Sequence, residues 1–385
     1  MKVYLLILLV AAAVTFLATP VVRQLSFRIG ALSPVRERDV HSVPTPRLGG
    51  LAMLLGVFVA LFLARLTPFL KGQLQSPELT AVLVGAILTC LLGAADDLWD
   101  LSWELKIGGQ ILIALVTAYL GVTLYSFPLA DLTIGSSQLS MTVSVMVIVL
   151  LMNAVNFVDG LDGLAAGMMG IGVSGFFIYS YVLTRLTGAP SYASLATAIS
   201  AAIIGVCLGF LPHNFHPARI FMGDSGALLL GFLTGCTIII VTGQIDPNSV
   251  ATERVAPVWL PVILPFAIVI LPLTDMIMAV VRRTRSGHSP FKADRMHLHH
   301  RLLQAGHSVP RAVLVMYLWT AIVSLGLSAV LVIPLRFILP TVAGLVAVGI
   351  LTTWTVMPDI SHNEDVADPP APAEEQKGSS HAPQP

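Results

Sequence analysis

Residues 139–163 read LSMTVSVMVIVLLMNAVNFVDGLDG, and the way this stretch breaks decides the fold. An apolar run at 139–157, close to the roughly 20 residues that cross a bilayer's hydrocarbon, meets Asn153, Asn156, Asp159 and Asp162 at intervals of three. On a helix or tight helical turn that spacing winds into one polar stripe, which cannot face lipid. Gly160 and Gly163 let the backbone turn or a ligand approach, so the stretch reads as a membrane span, a short polar turn and a second span. Interhelical hydrogen bonding alone would account for the stripe. Two carboxylates are, however, an expensive way to obtain packing that Ser or Thr could supply.

The rest of the chain is of the same kind. Of its 385 residues 56% are hydrophobic and only 11% charged, with a mean hydropathy of +0.85. Soluble domains carry roughly 25% charged residues, so an ordinary soluble globule is excluded. Apolar runs near 3–22, 49–69, 78–95, 107–126, 139–157, 163–184, 194–212, 226–243, 257–281, 312–333 and 337–357 predict an all-α polytopic membrane protein with about 11 transmembrane helices. The first run exceeds a signal-peptide core and lacks an A-x-A-like exit, so it reads as an uncleaved span. Residues 1–357 form the membrane unit, and 358–385, rich in Pro, Ala and acidic residues, read as a disordered tail.

Alternate loops differ in charge. One set carries fourteen Lys and Arg from Arg23 to Arg311, the other six from Lys2 to Arg336. Basic loops stay in the cytoplasm, which predicts the N-terminus outside, the C-terminus inside and every acidic motif at the cytoplasmic face. Cys90, Cys207 and Cys236 have no ligand spacing and read as small core residues.

Several segments deliver polar groups to that face. In AADDLWDL, residues 94–101, Asp96 and Asp100 share a face if the third span continues as a helix, whereas adjacent Asp96 and Asp97 diverge by about 100°. Asp224, in FMGDSGALLLG, precedes the eighth span and reads either as a helix cap or as a ligand of a hard cation. Mg²⁺ takes oxygen donors, commonly one or two carboxylates with water and phosphates completing the shell. The loop at 282–311 concentrates Arg, Lys and His, with His297, His299, His300 and Arg301 in HLHHR. Without Cys or an HExxH partner, that cluster reads as a phosphate binder rather than a zinc site. The first internal loop adds His41, Arg47, Gly49 and Gly50, a weak signal alone. Asp275, inside the ninth span, is placed to pair with Arg282 seven residues on.

No P-loop or Rossmann glycine pattern is present. In order, DDLWDL, NAVNFVDGLDG, GDSG and HLHH resemble the polyprenyl-phosphate N-acetylhexosamine-1-phosphate transferases, the WecA/MraY/TagO group, over about 20–310. The resemblance implies a glycosyl-1-phosphate transferase that moves a sugar 1-phosphate from a UDP-sugar to a polyprenyl phosphate, releasing UMP, with Mg²⁺ required and Mn²⁺ the alternative. It places Asp96, Asp97 and Asp159 in the catalytic cluster, with Asp96 or Asp97 deprotonating or orienting the lipid phosphate, and Asn156 and Asp224 on the metal, with Asp97 an additional or water-mediated ligand. Asp162, His297, His299, His300 and Arg301 fall to the nucleotide and sugar diphosphate, and His41 and Arg47 to an acceptor-phosphate loop. HLHH after ADRM looks like the WecA type, whose donor is UDP-N-acetylglucosamine (UDP-GlcNAc) and whose lipid product begins a cell-wall or surface polysaccharide.

The peptidoglycan branch, acting on UDP-MurNAc-pentapeptide, is the first alternative, but it usually carries a Lys before GTPTMGG where this chain has HSVPTPRLGG. A proton-coupled secondary transporter is the alternative from another class. Transport carboxylates lie near the midplane, and these lie at span ends. The expected setting is the bacterial inner membrane, with a homodimer left open and no nucleic-acid partner.

Overall fold

The computed structural model describes residues 1–33, 44–67, 76–124, 136–187, 192–244 and 298–354, with isolated positions between 270 and 285. Among these residues the chain is helical, with one isolated bridge between Leu32 and Pro46 and no strand. The helices are α1 Lys2–Ile29, α2 Gly49–Arg65, α3 Pro77–Trp99, α4 Trp103–Tyr119, α5 Ser137–Val158, α6 Leu164–Thr187, α7 Tyr192–Asn214, α8 Gly223–Gln244, α9 Leu298–Gln304, α10 Val309–Ala329 and α11 Leu335–Trp354.

Eight of them, α1, α3, α5 to α8, α10 and α11, are long and apolar enough to cross a membrane, and the chain is a multi-pass membrane protein. Helices α2 and α4 have 17 residues each, about 26 Å at 1.5 Å per residue and slightly short of a hydrocarbon core of about 30 Å. The expected ninth span, with Asp275 and Arg282, falls largely outside the described residues, and so does the tail.

Local chemistry sets the helix ends. The Ser76, Ser102 and Ser136 hydroxyls accept the N–H groups of Leu79, Leu105 and Leu139, capping α3, α4 and α5 in the usual serine manner. The Ser102 cap starts α4 at Trp103, ahead of the apolar run expected from 107, and so takes Lys106 into the helix. Helix α3 stops at Trp99. Asp100 adopts the left-handed conformation, φ 53°, with its N–H on the Asp96 carbonyl. Exposed and off the helix, Asp100 does not share the face expected of it with Asp96.

Helix α8 is apolar all round and buried from Ser225 to Thr242, as such a helix must be. Helices α2, α3, α5 and α7 surround it. Helix α1 lies against α2 and α7, α6 against α7 and α10, and α11 against α10. The Phe337, Leu339 and Leu351 side chains of α11 are exposed, the surface a lipid-facing helix presents. The N-terminus of the buried α8 meets the ends of α3, α4 and α5 at one face, and there the polar motifs converge.

Candidate active site

The site is built around the first turn of α8. The approach to it is tied down by backbone hydrogen bonds: the Phe221 N–H donates to the Pro46 carbonyl at 2.8 Å, and the Gly49 and Gly50 N–H groups donate to the Phe221 and Met222 carbonyls at 3.1 Å. The loop before α2 is thereby strapped to the start of α8. Gly223 has φ 68°, and a Cβ there would collide with the Asp97 carboxylate. That carboxylate caps α8 from another helix, because Asp97 Oδ1 accepts the Asp224 N–H at 3.0 Å and Oδ2 the Ser225 N–H at 3.1 Å. Orphan amides at a helix start favour such an acceptor. One turn earlier on α3, a Cβ on Gly93 would lie 2.5 Å from the Asp224 carbonyl, so the two helices approach as closely as backbones allow.

With Asp97 serving as the cap, the Asp224 side chain is released for other contacts. Its Oδ1 accepts the Asn156 amide Nδ2–H at 2.9 Å, and its Oδ2 accepts from the Lys106 ammonium. The same ammonium donates to Asp96 Oδ2 at 3.0 Å, while Asp96 Oδ1 takes the Leu101 N–H at 3.0 Å. Asp96, Lys106 and Asp224 are only partly exposed, so their charges interact with less screening than on an open surface.

A second carboxylate nest lies beside the first. Asp162 is buried, and its Oδ2 accepts from His216 Nδ1 at 2.7 Å and from the Ala218 N–H at 3.0 Å. The Gly163 N–H donates to Asn214 Oδ1 at 3.0 Å, Asn214 Nδ2 donates to the Ile220 carbonyl at 3.0 Å, and the Tyr317 hydroxyl donates to the Gly163 carbonyl. The α5–α6 turn is thus bound to the α7–α8 connection and to α10. Asp159 ends α5 and lies electrostatically within reach of Asp97, Asp162 and Arg47; burial first, then the two carboxylates, raise its pKa from 3.8 to about 7 against the pull of Arg47. Arg47 itself donates from Nη2 to Ser33 Oγ at 3.0 Å.

The expected polar stripe is therefore divided. Asn153 meets Gln110 of α4 and Asn156 meets Asp224 of α8, while Asp162 turns to His216, α5 having ended at Val158 with Asp159 and Asp162 in the turn beyond. The structure brings Asp96, Asp97, Asn156 and Asp224 together, with Asp159 and Arg47 nearby and Asp162 in the adjoining nest. Arg301 is exposed on α9, and His299 and His300 hold positions on that helix; His41 and His297 lie outside the described residues. Sequence reasoning gave no site role to Lys106, Asn214, His216 or Tyr317. Lys106 carried a signal, being a cation ten residues after an Asp pair and just inside a serine-capped helix. Nothing local marked the other three, whose partners are more than fifty positions away except for the Asn214–Ile220 contact.

Among the described residues no three His, Cys, Asp or Glu side chains form a ready metal cage. Mg²⁺ does not need one, since it binds through one or two protein oxygens with water and substrate phosphate completing its octahedron. Asp224 and Asn156 fit that requirement: their side chains touch, an amide rotation would turn Asn156 Oδ1 toward the carboxylate, and a cation, the Lys106 ammonium, already sits against Asp224.

Residues 79–242 match the glycosyl transferase family 4. The chain is 40% identical over 366 residues to the decaprenyl-phosphate N-acetylglucosaminephosphotransferase of Mycobacterium tuberculosis H37Rv, covering 94% of this chain and 90% of that protein. It is 44% identical over 326 residues to the protein of the same name from Mycolicibacterium smegmatis, with 83% and 80% covered. The undecaprenyl-phosphate alpha-N-acetylglucosaminyl 1-phosphate transferase of Yersinia pestis is 30% identical over 315 residues, with 79% and 78% covered. These alignments take in most of each chain, and the family match contains Asp96, Asp97, Lys106, Asn156, Asp159, Asp162 and Asp224.

Proposed function

The chain belongs to glycosyl transferase family 4, among the polyprenyl-phosphate N-acetylglucosamine-phosphotransferases, and on that premise we propose that it moves N-acetylglucosamine 1-phosphate from UDP-GlcNAc to a polyprenyl phosphate. The products are UMP and polyprenyl-diphosphate-GlcNAc. The observation that carries this reading is the convergence of Asp96, Lys106 and Asn156 on Asp224, with Asp97 fixing the start of α8 beneath it. A decaprenyl acceptor follows the mycobacterial relatives, an undecaprenyl acceptor the enterobacterial one.

Phosphoryl transfer is largely positioning and charge neutralisation, and this site is equipped for both. Asn156 and Asp224 would hold Mg²⁺, or Mn²⁺ in its place. When bound, the ion would supply positive charge to the donor diphosphate. Arg47 and the His297, His299, His300 and Arg301 segment are basic groups suited to phosphate oxygens, with Asp162 on the nucleotide side. The lipid phosphate then attacks the sugar-bearing phosphorus directly: an oxygen–phosphorus bond forms, the diphosphate bridge breaks, and its electron pair leaves on UMP. Asp159, its pKa raised to about 7, is poised to take the proton from the lipid phosphate, and Asp96 to orient that phosphate. The excess of Lys and Arg in the loops on the site's side supports a cytoplasmic site in the plasma membrane, with the N-terminus outside.

Purified protein in detergent with Mg²⁺, UDP-GlcNAc and decaprenyl phosphate is expected to release UMP. Absence of UMP with every UDP-sugar would exclude the reading. Release with UDP-MurNAc-pentapeptide in place of UDP-GlcNAc would move the chain to the peptidoglycan branch.

A further inference from the structure

Lys106 stands where a metal should. Its ammonium rests between a carboxylate at the end of α3 and one at the start of α8, 3.0 Å from Asp96 Oδ2 and in contact with Asp224 Oδ2. The other Asp224 oxygen takes the Asn156 amide and the other Asp96 oxygen the Leu101 N–H. Every carboxylate oxygen facing this point already has a donor. A divalent cation at Asp224 Oδ2 would meet the ammonium's like charge at contact distance, so the two compete for that oxygen.

The partners differ in how readily they can leave. The donors on Asp97 are backbone amides of α8, fixed by the helix itself. Lys106 carries its charge on a flexible four-carbon stem, one turn into α4 and partly open to solvent. We propose that Lys106 is a tethered counter-ion: it fills the cation position while the site is empty of metal, holds Asp96 and Asp224 together against their repulsion, and exchanges with the incoming divalent ion. This rests on the assignment of the metal to Asn156 and Asp224.

The proposal carries a sign that a purely structural lysine would not. If Lys106 only braced α4 against α3 and α8, removing it would loosen the site and weaken cation binding. As a competitor, it reduces apparent affinity by the fraction of time its ammonium is seated, and a seat filled nine-tenths of the time costs about tenfold. Lys106→Met should therefore bind Mn²⁺ about 5–10-fold more tightly than the parent, read by electron paramagnetic resonance of free Mn²⁺ in detergent. Lys106→Arg, whose fork grips two carboxylates more firmly, should bind it more weakly. Arg28→Gln, which removes one exposed positive charge at the end of α1, controls for net charge and should stay within about twofold, since exposed charges are well screened.

Thermal unfolding gives a second reading in case Lys106→Met is fragile. Without metal that variant should melt below the parent, and saturating Mn²⁺ should raise its melting temperature by more than it raises the parent's. Equal or weaker Mn²⁺ binding by Lys106→Met, or an equal gain in Arg28→Gln, overturns the exchange. A parent protein that binds no Mn²⁺ overturns the metal site itself, and the exchange with it.

Discussion

The two carboxylate nests at the head of the bundle contain the same residue type, yet Asp162 and Asp224 are held in different ways. Asp162 is sealed, with a buried oxygen that accepts from a histidine and a backbone amide at once. Asp224 is held by side chains alone, an ammonium and an amide, and is partly open. Asp97 is held by two backbone amides, and Asp96, like Asp162, by one side chain and one backbone N–H. Backbone amides do not move without the helix, whereas a lysine can swing away. A carboxylate held by backbone amides is therefore fixed with its helix, whereas one held only by side chains can exchange them.

The strongest way to break that distinction is to remove one carboxylate of each kind. Asp224→Asn keeps the shape and loses the charge that would hold the cation, and should cut UMP release by about 10³-fold or more, the scale of losing charge neutralisation in phosphoryl transfer. Its melting temperature should stay near the parent's while Mn²⁺ binding is lost. Asp162→Ala should behave in the reverse manner. It removes the acceptor shared by His216 Nδ1 and the Ala218 N–H, both half-buried, at about 1–3 kcal/mol in all, so the protein should melt early yet still bind Mn²⁺. If Asp162→Ala loses Mn²⁺ and keeps its stability, the division between the nests fails.

A smaller disturbance tests how closely the sealed part must fit. Gly93→Ala drives a Cβ to 2.5 Å from the Asp224 carbonyl and from the Ser225 Cα, backbone atoms that can yield only if α8 shifts. Overpacking of that kind costs about 1–3 kcal/mol, and a displacement of about 1 Å at a reacting group can cost about 10²-fold in rate. Gly108→Ala on α4 is the paired control. A Cβ there meets nothing within 4 Å, so turnover should be unchanged and stability raised by up to about 1 kcal/mol. Equal effects from the two alanines would show that the α3–α8 approach does not set the site.

What the sequence made legible follows from the range of each interaction. Apolar runs announce helices because the bilayer's demand is local and continuous, and ten of the expected spans are helices here. The motifs could be assigned to one face because each lies at a span end. Partner choice was not legible. Asn153, Asn156 and Asp162 read as one stripe, yet within α5 Asn153 meets Gln110 of α4 and Asn156 meets Asp224 of α8, and beyond the end of α5 at Val158 Asp162 meets His216. Asp224 read equally as a cap or a ligand until Asp97, 127 residues earlier in the chain, was seen to do the capping. Such choices depend on helix packing that no spacing within a single motif encodes.

Asp159 belongs to neither nest, and its titration sharpens the comparison at the smallest scale. Burial and the charges of Asp97 and Asp162 hold its pKa near 7 rather than 3.8, so the folded protein keeps a proton that the unfolded chain releases between those values. The stability this group contributes is complete below pH 3.8 and is lost as pH rises to about 7. A base acting on the lipid phosphate shows the contrary trend, with turnover climbing about tenfold per pH unit until the carboxylate is ionised near 7 and then levelling. Ionisation of the lipid phosphate produces a similar limb, so the parent profile alone decides nothing. Asp159→Asn separates the two sources: it should be slow at every pH, lose the part of the slope due to its own carboxyl, and melt with a weaker dependence on pH between about 4 and 7. A variant that keeps both the parent's slope and its melting profile would remove Asp159 from the proton transfer and leave it a neighbour of the sealed nest.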